Sequence, residues 1–93
     1  MKYSVQYSRT AVRDLERIWK EIMDASQNCE VTDNYINDLI DKVKAKAEYP
    51  ESGVPLYYEN HFIGYYYVVF KSYMALYQVK EDRMLVDRVL YGR

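Results

Sequence analysis

A chain of 93 residues fills one compact domain and leaves no room for a second. Hydrophobic residues make up 49% and charged residues 29%, enough for a core beneath a solvated surface, which excludes general disorder. With 13 Lys and Arg against 14 Asp and Glu, the net charge of −1 supplies no whole-molecule field for nucleic acid, so any such contact needs a local patch. A lone cysteine, Cys29, excludes an internal disulfide, and no Cys/His cluster has metal-ligand spacing. No apolar run is long enough to span a membrane and no signal peptide is recognisable. The expectation is a cytoplasmic protein that needs no metal or cofactor. The outlier is the count of 12 tyrosines, side chains whose large ring and polar tip favour boundaries, clefts and interfaces.

Residues 2–7 alternate Tyr3, Val5 and Tyr7 with Ser4 and Gln6, the period of a half-buried strand. Ser8 stands where a helix N-cap belongs. Beyond it Val12, Leu15, Trp19, Ile22 and Ser26, with Ala11, Ile18 and Met23 beside them, recur at helical spacing. The opposite side carries Arg13, Asp14, Glu16, Arg17, Lys20, Glu21 and Asp24, a solvated face of mixed sign. A second helix, capped by Asn28 or Thr32, shows Tyr35, Ile36, Leu39, Ile40, Val43 and Ala47 on one side. It should end near Ala47 or Glu48, because Pro50 pushes Tyr49 out of the helical region.

Residues 50–61 read as a loop that carries Tyr57 and Tyr58. Residues 64–93 hold three runs rich in Tyr, Val, Leu, Phe and Met, broken at Lys71-Ser72 and at residues 80–83, which predicts a three-stranded antiparallel meander. Each helix is apolar on one side only, and the sheet is the one large apolar surface to receive it. The expected fold is α+β, a single domain over residues 1–93 with two antiparallel helices on one face of a four-stranded, mainly antiparallel sheet. Tyr3, Val5, Leu15, Trp19, Ile22, Leu39, Val43, Val68, Leu76 and Val86 form the expected core.

Few residues recommend themselves for chemistry. The His61 imidazole can act as general acid or base, although a solvated loop histidine is the simpler explanation. Arg88 interrupts an apolar strand. On the face opposite the helices it would stand in an open groove with Tyr91 nearby; on the covered face it would pair with a carboxylate such as Asp14 or Asp87. Arg93 closes the candidate set of Arg88, Tyr91, His61 and Arg93.

The order strand, two helices, loop and meander resembles the RelE/ParE superfamily of toxins from bacterial type II toxin-antitoxin systems. The likeness rests on Tyr3-Ser4-Val5-Gln6-Tyr7-Ser8 with Ala11 and Asp14-Leu15, on Tyr49-Pro50-Glu51-Ser52-Gly53, on Ser72-Tyr73 leading to Leu76-Tyr77-Gln78-Val79, and on Arg88-Val89-Leu90-Tyr91-Gly92-Arg93. It implies a growth-inhibiting toxin of a plasmid-stabilisation-like module, neutralised by a cognate antitoxin. Two targets are implied: DNA gyrase, poisoned by binding in the ParE branch, or mRNA on the translating ribosome, cleaved in the RelE branch. An inactivated toxin that only binds antitoxin is a third reading. Where the ribosome-dependent nucleases carry an arginine, this chain has Met74, and where they carry lysines it has Tyr65, Tyr66 and Tyr67. The basic and aromatic tail that normally follows Gly92-Arg93 is absent from this sequence. These departures favour the gyrase-binding reading, because a thioether cannot clamp a phosphate.

Overall fold

Ser8 decides where the first strand becomes a helix: its hydroxyl accepts the Ala11 N–H at 3.0 Å, capping α1 (Arg9–Ser26) where β1 (Ser4–Tyr7) ends. Gln27, at φ 54°, closes α1 in the left-handed region, and Asn28 caps α2 (Cys29–Lys44) by accepting from the Val31 N–H. A 3-10 turn, Ala45–Ala47, finishes α2 before Pro50. β2 (Val54–Tyr58), β3 (His61–Phe70), β4 (Tyr73–Lys80) and β5 (Arg83–Tyr91) follow. This computed structural model describes residues 2–92.

The sheet has five strands in the order β1-β5-β4-β3-β2, not the expected four. The extra one is β2, inside residues 50–61, where Pro55 argues against a strand. An edge strand needs no outward N–H, so the proline is tolerated there, opposite Tyr66, and a register shift follows it. Glu59 and Asn60, at φ 48° and 70°, form the two-residue turn into β3. β2 to β5 are antiparallel neighbours, and β1 alone pairs parallel, with β5.

Both helices pack on one face of the sheet, around Ala11, Ile18, Leu39, Val43, Val68, Tyr77, Met84, Val86 and Val89. Of the expected core, Leu39, Val43, Val68 and Val86 are buried. Tyr3, Val5, Leu15, Trp19, Ile22 and Leu76 are only half-buried. On α1 the buried line runs Ala11, Asp14, Ile18, one position off the Val12-to-Trp19 line, and Trp19 instead donates its indole N–H to Asp33 at 2.9 Å. On β4 the helices cover Tyr73, Ala75 and Tyr77, so Leu76 faces away.

Candidate functional site

β5 carries one more residue than β4 requires. Leu76 lies opposite Arg88 but Tyr77 lies opposite Val86, so Asp87 is a bulge. β1 stops alongside Val86, and past that point the edge of β5 is held by side chains of the β1–α1 segment. The Ser8 hydroxyl donates to the Asp87 carbonyl at 2.8 Å, and the Val89 N–H donates to Asp14 Oδ2 at 2.9 Å. Arg88 grips the same carboxylate through Nε at 2.8 Å and Nη2 at 3.1 Å, and Arg17 adds a contact at 3.0 Å. Asp14 is 2% exposed. Burial opposes its charge, but the bonds from Arg88, Val89 and Arg17 outweigh it and hold the carboxyl below its ordinary value. Arg88 is therefore the partner of Asp14, with its side chain 43% exposed.

The remaining predicted residues do not gather around it. Tyr91, 63% exposed, packs its ring edge-on against Tyr73, at 5.8 Å between centroids. His61 is exposed at the far end of β3, nine residues from Phe70, which pairs with Tyr73 and through it with Tyr91. At about 3.3 Å per residue this puts His61 about 30 Å away along the strand. Arg93 lies outside the described residues.

The helices leave the other face of the sheet open. Register places Tyr65, Tyr67 and Val69 of β3 beside Met74, Leu76 and Gln78 of β4 and Leu85, Arg88 and Leu90 of β5. Its polar centre is Gln78, which donates to Asp87 at 2.6 Å and to the Tyr65 hydroxyl at 3.0 Å. The Asp87 carboxylate, with burial, raises the Tyr65 phenol above its ordinary value. Met74 is flanked by Leu90 and Val69 and backed by Gly92, where a Cβ would come within 3.1 Å of the methionine. This surface can receive apolar and hydrogen-bonding groups. Its centre pairs the Asp87 carboxylate with Arg88, which stands opposite Leu76 with its guanidinium already bound to Asp14, so it offers a phosphate no unengaged cation there.

Aromatic rings connect the core to a second open surface, the β2–β3 hairpin. Tyr77 stacks on Tyr66 at 5.7 Å, Tyr66 meets Phe62 at 5.3 Å, and Phe62 meets Tyr57 at 6.0 Å. Tyr58, 68% exposed, and Ile63 extend this apolar rim. Sequence periodicity missed the rim because β2 was hidden by Pro55, although the Glu59-Asn60 pair after an apolar run was a hairpin signal.

Residues 5–93 match the model of the ParE toxin family of the type II toxin-antitoxin system parDE, and the chain belongs to that family. It is a ParE-type toxin of a type II toxin-antitoxin system. Three solved structures share the fold. A chain of the chromosomal ParDE toxin-antitoxin system from P. aeruginosa superposes with a TM-score of 0.81 at 18% identity, covering 99% of this chain and 98% of that one. A chain of the RelBE2 toxin-antitoxin complex from Mycobacterium tuberculosis gives 0.64 at 21% identity, with 98% and 99% covered. YafQ from E. coli gives 0.58 at 15% identity, with 97% and 93% covered. No curated protein matches the chain in sequence.

Proposed function

We propose that this toxin acts by binding a protein, with DNA gyrase as its target, and that a cognate antitoxin neutralises it by covering its exposed apolar surfaces. One observation carries the reading: the open sheet face presents Tyr65, Tyr67, Met74, Leu76 and Leu90 around Asp87, and the cation at its centre, Arg88, is bound to Asp14. A phosphoryl-transfer site needs donors aimed at developing negative charge, and loss of one costs about 10²–10³ in rate. Arg88, the nearest guanidinium on β5, is already engaged by Asp14. Tyrosine-rich apolar surface suits a protein interface, where such residues anchor binding.

The test sets purified gyrase against translating ribosomes. Inhibition of supercoiling with intact mRNA is the expected result, and codon-specific cleavage of mRNA on the ribosome would reverse the assignment to the nuclease branch. The antitoxin is tested by co-expression with the neighbouring open reading frame, where a stable complex on size-exclusion chromatography is expected.

A further inference from the structure

β1 has a free edge. Ser4 N–H donates to the Asp82 carbonyl and Ser8 N–H to that of Val86, so residues 4, 6 and 8 turn their backbone groups toward β5 and residues 3, 5 and 7 turn theirs away. Tyr3 N–H is taken by the Ala47 carbonyl. The N–H and C=O of Val5 and the N–H of Tyr7 have no partner among the described residues. Beside this edge a groove of 290 Å³ lies between β1 and α2, lined by Val5, Tyr7 and Ile40 with Lys2 and Lys44. It continues past Lys2 into a second hollow of 470 Å³ whose charged walls are Glu48, Glu81 and Asp82. The buried Tyr7 hydroxyl also lacks a partner among the described residues.

An unpaired strand edge beside an apolar groove is the arrangement that accepts an added strand: the backbone supplies affinity and the groove selects side chains. The charges order the occupant. We infer that this groove receives an extended segment of the antitoxin, pairing with Val5 and Tyr7, with an apolar side chain seated against Ile40, an acidic residue at Lys44 and a basic residue at the Glu48, Glu81 and Asp82 end. Asp41 shares the outer rim with Lys44 and Lys2, which confines the acidic residue to the inner side of the lysines. This inference rests on the antitoxin reading above and adds the docking site and the chemistry of the docked segment.

The experiment uses the whole toxin and the separately purified product of the neighbouring open reading frame, with overlapping synthetic peptides from that product. Val5→Pro removes the outward N–H and leaves the ladder to β5 intact, a position where an edge strand accepts proline. It should weaken the complex about tenfold, the effect of losing one backbone hydrogen bond, while leaving growth inhibition by the free toxin unchanged. Lys44→Glu needs no change of backbone and should weaken binding likewise, with recovery when the acidic residue of the docking peptide is replaced by lysine. Parent-like binding by both variants overturns the groove while leaving the antitoxin reading intact. Variants that bind antitoxin normally but lose growth inhibition overturn it too, since the groove would then belong to the target. Failure of the parent itself to bind sinks the antitoxin reading and this inference together.

Discussion

At the β5 bulge a carboxylate is buried and fully engaged, whereas at the β2 end of the sheet apolar side chains are exposed. Asp14 takes bonds from two arginines and a backbone N–H at one end. Tyr57, Tyr58, Phe62 and Ile63 stand in solvent at the other. The first region spends its chemistry on holding α1 against a bulged strand. The second leaves apolar surface in solvent, stiffened by rings stacked back to Tyr77. Residue type alone is therefore a poor guide to placement in this molecule: the arginine is bound by Asp14 and the aromatic rings of the rim stand exposed.

The comparison breaks first at Asp14. Asp14→Ala should cost about 3 kcal/mol, because the buried Val89 N–H loses its acceptor and the bulge its anchor; chemical denaturation measures this. Tyr77→Phe should cost about 1–2 kcal/mol, since the Tyr77 hydroxyl donates to the Pro50 carbonyl and ties the turn before β2 to the core. Gly53 lies against the same hydroxyl, so Gly53→Ala should also destabilise and shift the Tyr77 ring, visible in near-ultraviolet circular dichroism.

Two pH limits sharpen the contrast. Asp14 is held below the ordinary 3.8, so its contribution is complete above that value and is lost as pH falls through it toward the folded-state value. Stability of the parent should thus decline more steeply below about pH 4 than that of Asp14→Asn. Burial pushes Tyr7, Tyr73 and Tyr77 up to about 12 from 10.0, with the Glu21 carboxylate also raising Tyr73, whose hydroxyl donates to it at 3.1 Å. Their contribution is complete below 10 and should be lost between 10 and 12 as pH rises, with melting temperature the measurement. The smallest stability effect belongs to the rim: Tyr58→Ser should change stability by less than about 0.5 kcal/mol and yet weaken binding to gyrase in a pull-down.

Much of the fold was legible in local chemistry. Ser8 caps the first helix as read, Asn28 rather than Thr32 caps the second, and the tight breaks between β3, β4 and β5 fall at Lys71-Ser72 and at Glu81-Asp82. The helix stripe was displaced by one position because Asp14 sits in the middle of the true buried line, and a count of apolar residues passes around it. Arg88 gave the countersignal: a cation in an apolar strand needs a carboxylate, and Asp14 was among those named. Tyr77 was missed as the centre of the core because its hydroxyl acceptor, the Pro50 carbonyl, is 27 residues distant and invisible to any local pattern. His61 and Arg88 were grouped by residue type, and only strand register shows how far apart they lie.

The single surplus residue at Asp87 has a consequence for how this surface can change. A bulge sets two residues of one strand against one of its neighbour, so Asp87 is carried outside the alternation that keeps Val86 opposite Tyr77 and Val89 opposite Ala75 in the core. Removing Asp87 would leave a regular ladder in which Val89, Leu90 and Tyr91 face as they do now. A one-codon deletion would thus take the carboxylate away from Gln78 and Tyr65 while the core keeps its facing. The bulge that Ser8 and Asp14 anchor works as a spare slot, through which the open face gains a side chain that the core never registers.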